Sequence, residues 1–139
     1  MARLIREVMS TEPICLTSNT GLLDVARQML EYDIGDVLIT ENERIIGVVT
    51  DRDIVIRALA AGRDPASTTA GEIASRELIT LRPDDQLDRA VELMREHAVR
   101  RLPVCQDGRP IGMVSIGDLA IERDRHSALA DISAAAANH

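Results

Sequence analysis

The segment Gly47-Val-Val-Thr-Asp-Arg-Asp53 recurs in altered form as Gly112-Met-Val-Ser-Ile-Gly-Asp118, 65 residues further along the chain. In both copies an apolar pair follows the glycine, and a hydroxyl residue precedes an aspartate by three positions. The same offset aligns residues 8–55 with residues 73–120 without a gap. A register that holds over 48 residues indicates an internal duplication, so the chain is predicted to contain one supersecondary unit twice.

Each copy is predicted to run strand, helix, strand, strand, helix. Apolar residues at helical spacing begin at Leu22 and at Leu87, which predicts the first helix of each copy. The last helices are expected over 51–60 and 116–123, with Thr50 and Ser115 as N-caps. The predicted strands are 14–17, 37–39 and 45–49 in the first copy, and 78–81, 102–104 and 111–114 in the second. Asn42 and Asp107-Gly108 mark the hairpin turns, and the fold class is α/β (α+β) with two βαββα repeats.

The duplication predicts four parts of the chain. Repeat 1 with its lead-in covers 1–61, a linker rich in Gly, Ser, Thr and Ala covers 62–72, repeat 2 covers 73–125, and a tail covers 126–139. A single copy of about 50 residues would be only marginally stable. The two repeats are therefore expected to pack face to face as a pseudo-twofold pair.

Composition excludes several classes of function. The net charge of −7, with one tyrosine and no phenylalanine or tryptophan, disfavours binding to nucleic acid. The absence of lysine excludes Schiff-base chemistry and a P-loop. No apolar stretch is long enough to span a membrane, no secretory leader is visible, and two cysteines 90 residues apart make no redox motif. We expect a cytoplasmic protein.

The repeated hydroxyl-x-x-aspartate motif has two interpretations. At a helix N-terminus, Thr50 with Asp53 and Ser115 with Asp118 would form capping boxes. The same groups could hold a nucleotide, because a helix N-terminus favours phosphate and an aspartate can accept two hydrogen bonds from a ribose. The two interpretations are compatible for the hydroxyl. The glycines at 47 and 112 could leave room for a ligand or suit a strand bend.

These residues give the duplicated unit a resemblance to the cystathionine β-synthase (CBS) domain, which occurs as a tandem pair. The resemblance covers about residues 4–125 and rests on Val8-Met9-Ser10, the helix ending in Met29, residues 100–104, and the two repeated motifs. The stretch 51–71 resembles the small stand-alone CBS-pair proteins of bacteria, including the hypoxic-response type. The resemblance implies a non-enzymatic regulatory module that binds AMP, ADP, ATP, NAD or S-adenosylmethionine in two clefts between the repeats. It also implies a homodimer and a target protein that the sequence leaves unidentified.

The resemblance also implies the residues that line each cleft. One cleft is expected to set Ile14, Ile34 and Gly35 opposite Met113, Ser115 and Asp118; the other sets Ile79, Val99 and Arg100 opposite Val48, Thr50 and Asp53. Arg100 and Arg101 stand where relatives often carry a phosphate-binding histidine or arginine, whereas the first copy has Gly35 and Asp36. Arg52 could serve the first copy instead, and the second copy has Gly117 there. The two clefts are therefore expected to differ in phosphate affinity.

The remaining candidates predict little chemistry. No obligatory cofactor or metal is expected, because His97, His126 and His139 have no metal-ligand spacing with either cysteine. No nucleophile–base constellation is visible, so an enzyme is not expected. Cys15 and Cys105 are predicted to be buried thiols, and the core methionines are predicted to be Met9, Met29, Met94 and Met113. The alternative function is a ligand-free dimerising interaction or stress-response module, which Asp36 and Gly117 favour.

Overall fold

The structure is a computed structural model that describes residues 3–123, and these residues form two units of similar architecture. Unit 1 contains residues 3–13 together with 79–123, and unit 2 contains residues 14–78. Each unit has its own three-stranded sheet and its own helices. The prediction of a duplicated mixed α/β fold is confirmed.

Unit 2 begins with a strand, a helix and a hairpin. Its elements are β2 (Cys15–Thr17), α1 (Leu22–Tyr32), β3 (Asp36–Glu41), β4 (Arg44–Thr50), α2 (Asp51–Asp53), a π-helix (Ile54–Leu59) and α3 (Ala70–Ile73). The strand order is β2-β3-β4, with β2 parallel and β4 antiparallel to β3.

Unit 1 repeats this plan with a different edge strand. Its elements are a 3-10 turn (Ile5–Glu7), β1 (Ser10–Thr11), α4 (Leu87–His97), β5 (Arg101–Gln106), β6 (Arg109–Ser115) and α5 (Ile116–Arg123). The strand order is β1-β6-β5, and both pairings are antiparallel.

The two hairpins match residue for residue at the 65-residue offset. Asp36 pairs with Thr50 in unit 2, and Arg101 pairs with Ser115 in unit 1. A register shift follows Ile39 in one hairpin and Val104 in the other. The predicted turns are confirmed, since their central residues Asn42, Glu43, Asp107 and Gly108 all have positive φ, as a type I′ turn requires. The duplication is therefore structural as well as sequential.

Aliphatic side chains fill both cores. Helix α1 buries Leu22, Val25 and Met29, and helix α4 buries their counterparts Leu87, Ala90 and Met94. This is the i, i+3, i+7 stripe that the sequence predicted. Met113 is also buried and Met9 packs against the core of unit 1, so the predicted core role of the four methionines is confirmed.

The lead-in segment of each repeat pairs with a strand of the other repeat. Strand β1, in the lead-in of repeat 1, pairs with β6 in repeat 2. Ser75, the counterpart of Ser10, bonds instead to Val48 in β4, with N···O distances of 2.9 and 3.1 Å. Ile5 is buried in unit 1 and Ile73 in unit 2. Each compact unit is thus built from one repeat and the lead-in of the other. The predicted repeat boundaries, which describe the duplication in the sequence, stay a prediction.

Three predicted elements are corrected by the structure. Residues 78–81 make only an isolated parallel bridge, Leu81 with Val104. In unit 2 the Leu38 amide donates to the Ile14 carbonyl at 3.0 Å, but the equivalent residue in β5 is Pro103, which has no N–H. The helix predicted at 51–60 changes after Asp53 into a π-helix, and the predicted linker contains the start of α3.

Candidate ligand-binding motifs

The motif in unit 2 forms a capping box where β4 passes into α2. The Thr50 amide donates to Oδ2 of Asp53 at 2.9 Å, and the Asp53 amide donates to Oγ1 of Thr50 at 3.0 Å. Two amides that the helix leaves unsatisfied are thereby paired. The capping interpretation of this motif is confirmed, and its role in ligand binding stays a prediction.

The motif in unit 1 has the same geometry where β6 passes into α5. The Ser115 amide donates to Oδ2 of Asp118 at 2.9 Å, and the Asp118 amide donates to Oγ of Ser115 at 3.1 Å. Ser115 is buried and Asp118 is half-buried. Each aspartate thus uses one carboxylate oxygen for the cap, which leaves the other oxygen as the group that could accept from a ligand.

The second carboxylate oxygen differs between the motifs. Oδ1 of Asp53 lies 3.6 Å from Nε of Arg57, four residues later. The counterpart of Arg57 in unit 1 is Glu122, which pairs with Arg3 at 3.1 Å. Within residues 3–123, Oδ1 of Asp118 makes no hydrogen bond or ion pair, so it keeps both lone pairs for another donor. Sequence reasoning missed this difference, although the i, i+4 spacing from Asp53 to Arg57 is a signal for it.

Charges beside the two motifs also differ. The Ile116 amide donates to the Arg100 carbonyl at 2.8 Å, which fixes Arg100 next to the start of α5. The guanidinium of Arg100 is exposed and has no ion-pair partner in the described part of the chain, and Arg101 pairs in register with Ser115. Unit 1 therefore places two arginines beside its motif.

In unit 2 the residues beside the motif include two aspartates. The Asp51 amide donates to the Gly35 carbonyl at 2.9 Å, and Asp36 pairs in register with Thr50. Asp51 and Asp36 therefore stand where unit 1 has Ile116 and Arg101. Arg52 is exposed beside them. The residues around the unit 2 motif are therefore more acidic than those around the unit 1 motif.

The motif glycines make room for the exchanged segments. A Cβ atom on Gly47 would lie 2.7 Å from the carbonyl oxygen of Ser75. A Cβ atom on Gly112 would lie 2.9 Å from the carbonyl oxygen of Ser10 and 2.6 Å from Sδ of Met9. The space beside each glycine is occupied by the chain itself, so the absence of a side chain serves the close backbone approach.

The apolar residues predicted to contact an adenine ring are half-buried or buried in their own units. Ile14 and Ile34 pack against the core of unit 2, and Ile79 and Val99 against the core of unit 1. Val48 is half-buried and Met113 is buried. Core packing explains why these positions are apolar. Their grouping into two ligand clefts stays a prediction.

The other candidate residues of the sequence are dispersed. His97 is exposed at the end of α4, and His126 and His139 lie outside the described residues. Among residues 3–123 no group of three or more His, Cys, Asp or Glu side chains could hold a metal ion. No helix in the same residues is long and apolar enough to cross a bilayer.

The two cysteines have different surroundings. Cys105 is buried as predicted, but Cys15 is exposed at the start of β2, so its predicted burial is wrong. Cys15 and Thr17 are exposed and Leu16 between them is half-buried, so Cys15 lies on the solvent face of the strand. Desolvation of the thiol nevertheless raises the pKa of Cys15.

Alkylation should distinguish the two thiols. We expect iodoacetamide to modify Cys15 in the native protein and to leave Cys105 unmodified, because only Cys15 is accessible. Because the pKa of Cys15 is raised, its thiolate fraction at neutral pH is lower than that of a free thiol, and its rate should continue to rise at more alkaline pH. Mass spectrometry after timed labelling at several pH values measures both rates. Equal labelling of the two cysteines would contradict the structure.

Comparison with known proteins identifies relatives of this chain in sequence and in structure. The CBS domain family matches residues 5–59 and 70–124. Hypoxic response protein 1 of Mycobacterium tuberculosis is 37% identical over 123 residues, which cover 88% of this chain and 86% of that protein. The crystal structure of Hypoxic Response Protein I with two coordinated zinc ions has a TM-score of 0.80 at 36% identity, and the match covers 86% of this chain and 98% of that one.

A second solved structure is similar over a larger part of the chain. The CBS domain pair of protein MJ0100, in complex with 5-methylthioadenosine and S-adenosyl-L-methionine, has a TM-score of 0.80 at 25% identity. This match covers 91% of the present chain and 100% of that pair. Two family matches on one chain, with two equivalent units and a capping box in each, lead to one conclusion: this protein belongs to the CBS domain family and is a tandem CBS pair, a regulatory module.

Proposed function

We propose that this chain is a non-enzymatic signal-transduction module of the cytoplasm that binds an adenosine-containing ligand at its hydroxyl-x-x-aspartate motifs. The ligand is one of AMP, ADP, ATP, NAD or S-adenosylmethionine, and it acts as a regulatory ligand rather than an obligatory cofactor. The likeness to the MJ0100 pair, which is in complex with two adenosine compounds, supports this class of ligand. The observation that carries the proposal is the carboxylate oxygen of Asp118 that the capping box leaves available.

The chemistry of the unit 1 motif fits a ribose phosphate. Oδ1 of Asp118 can accept hydrogen bonds from the ribose hydroxyls, as acidic residues do in dinucleotide sites. The guanidinium groups of Arg100 and Arg101 offer forked donors to a phosphate. In unit 2 the ribose contact would come from Asp53, whose charge Arg57 partly offsets, and Arg52 would be the cation for a phosphate. We propose that unit 1 is the better phosphate site.

A regulatory module must transmit the effect of ligand binding to a partner protein. A ligand can shift only an equilibrium between states that it binds with different affinity. We propose that the bound ligand changes the arrangement of the module and that a target protein, which this chain does not identify, responds to the change.

Thermal unfolding with each of the five ligands tests the proposal. A ligand that binds only the folded chain must stabilise it, by about 2.7 kcal/mol at a concentration one hundred times its dissociation constant. We expect at least one ligand to raise the Tm, and AMP to raise it more than adenosine because of the arginines in unit 1. No rise in Tm with any of the five at millimolar concentration would contradict the proposal.

Substitution of the aspartates separates binding from capping. Asp118→Asn retains one carbonyl oxygen to accept from the Ser115 amide but loses the charged acceptor for the ribose, so we expect ligand affinity in unit 1 to fall about tenfold or more. Asp53→Asn should do the same in unit 2. Isothermal titration of wild type and both variants measures the loss at each motif.

Another capping box provides the matched control. The Thr69 amide donates to Oε2 of Glu72 at 2.9 Å at the start of α3, and neither residue belongs to a hydroxyl-x-x-aspartate motif. Glu72→Gln changes this cap, together with the ion pair of Glu72 and Arg63 at 3.6 Å, without changing a proposed ligand contact. Equal losses of affinity in Glu72→Gln and Asp118→Asn would show that capping alone explains the effect.

We also propose that the protein is a homodimer. Large apolar side chains on the helices of unit 2 are exposed: Leu23, Leu30, Val55, Ile56 and Leu59. Several exposed apolar side chains on neighbouring helices are typical of a protein–protein interface. Sedimentation at several concentrations tests the assembly independently of any ligand.

The alternative function is a ligand-free dimerising interaction or stress-response module. Asp36 and Asp51 beside the unit 2 motif favour it, because two carboxylates there disfavour a phosphate. A folded dimer whose Tm and heat of mixing are unchanged by all five adenosine compounds would support this alternative.

A further inference from the structure

Arg57 contacts two groups of unit 2, and one of them belongs to the hydroxyl-x-x-aspartate motif. Its Nε lies 3.6 Å from Oδ1 of Asp53, and its Nη1 donates to the Ile73 carbonyl at 3.4 Å. Only 16% of the Asp53 side chain is exposed, so water and salt screen this ion pair less than they screen a fully exposed one. The two contacts together hold the guanidinium group of Arg57 beside the carboxylate.

The equivalent position of unit 1 has the opposite charge. Glu122 follows Asp118 by four residues, which is the spacing of Arg57 in the motif of unit 2. Glu122 pairs with Arg3 at 3.1 Å, and Oδ1 of Asp118 makes no hydrogen bond or ion pair in the described part of the chain. The two motif aspartates therefore share the same cap and differ in the group beside their second oxygen.

This difference matters for a ribose. A ribose that donates two hydroxyls to an aspartate uses the lone pairs that the cap leaves available. In unit 1 both lone pairs of Oδ1 on Asp118 are available. In unit 2 the guanidinium of Arg57 lies against the equivalent oxygen. A ribose must there displace the guanidinium, or make weaker hydrogen bonds to a carboxylate whose charge is partly neutralised.

We infer that Arg57 is a specificity-determining residue that weakens Asp53 as a ribose acceptor, so that an adenosine ligand fills the unit 1 motif at a lower concentration than the unit 2 motif. The inference rests on the proposed function and adds the order in which the two motifs respond. Two motifs of unequal affinity allow one chain to respond over a wider range of ligand concentration than two equal motifs.

Arg57→Gln tests this role with adenosine, which has no phosphate for an arginine to attract. Nuclear magnetic resonance follows the backbone amides of Thr50 and Ser115, so one titration gives a dissociation constant for each motif. We expect the unit 2 constant to fall about two- to fivefold, which is the range for loss of a partly exposed ion pair. The unit 1 constant should stay unchanged.

Glu122→Arg is the reciprocal substitution, because it places an arginine four residues after Asp118. The arginine should pair with the aspartate, so we expect the unit 1 constant to rise by a similar factor. Glu122→Gln removes the pair with Arg3 without adding a cation. It should leave the unit 1 constant unchanged, and a rise equal to that of Glu122→Arg would contradict the inference.

Two further variants separate this role from a structural one. Arg57→Lys retains a cation four residues after Asp53, so both constants should remain close to those of wild type. Arg63→Gln is the matched control, because Arg63 pairs with Glu72 at the same distance of 3.6 Å and neither residue belongs to a motif. It should leave both constants unchanged. Circular dichroism of every variant checks folding.

Failure of the inference is distinguishable from failure of the proposed function. The inference is overturned if the unit 2 motif of the wild type fills at the same or a lower adenosine concentration than the unit 1 motif, or if adenosine shifts neither amide. An Arg57→Gln variant with the wild-type constant in unit 2, or an equal gain in Arg63→Gln, also overturns it. The proposed function is judged separately, by the Tm shifts with its five ligands.

Discussion

Ile5→Ala is expected to lower the free energy of unfolding of unit 1 by about 2–5 kcal/mol. Ile5 is fully buried and belongs to the same core as Leu81, Val104 and Val114. Truncation to alanine removes buried carbon atoms and leaves a cavity that the surrounding side chains fill only in part. The substitution is close to the start of the chain, yet its effect should fall on the second repeat, because the exchanged lead-in places Ile5 in that unit.

Hydrogen exchange read by peptide locates the effect. In Ile5→Ala, amide protection should decrease in peptides from residues 79–123 more than in peptides from 14–78. Ile73→Ala is the mirrored variant, because Ile73 is buried in unit 2, and its losses should fall in peptides from 14–78. If Ile5→Ala mainly exposed amides of the first repeat, the segment exchange would be wrong.

Gly47→Ala is expected to destabilise unit 2 by about 3 kcal/mol. The new Cβ would lie 2.7 Å from the carbonyl oxygen of Ser75, and 3.1 Å from Cβ of Ala74. The nearest atom belongs to the backbone, so it cannot turn away as a flexible side chain would. The segment that carries Ser75 must move from β4, which weakens both hydrogen bonds between Val48 and Ser75.

Gly21→Ala is the matched control for this substitution. A Cβ on Gly21 would meet no atom within 4 Å, and Gly21 has an ordinary negative φ at the N-cap of α1. Its cost should be below about 1 kcal/mol, the difference between glycine and alanine at an N-cap. Urea denaturation of both variants gives the comparison, and similar midpoints would contradict the close approach at Gly47.

Elements with a strong local pattern were predictable from the sequence. The helices at Leu22 and Leu87 and the hairpin turns at Asn42 and Asp107 depend on residues within a few positions of each other. The capping boxes were predictable for the same reason, because Thr50 and Asp53 lie within one helical turn.

Elements that depend on a distant partner were less predictable. Residues 78–81 have the composition of a strand, but their partner β5 has Pro103 where a donor is needed, so only one bridge forms. The exposure of Cys15 depends on which face of β2 the core covers. A pattern within one short segment contains no information about a partner's missing donor or about which face of a three-residue strand the core covers.

The duplication, the order of helices and strands, and the capped motif in each copy follow from the amino-acid sequence alone, since each rests on local periodicity or on a repeated spacing. Tertiary structure alone decided which repeat receives each lead-in and which charges surround each motif aspartate. Ser10 and Ser75 occupy equivalent positions in the two repeats, so either lead-in suits either sheet as far as sequence shows. The choice is made by backbone hydrogen bonds and core contacts between residues far apart in the chain.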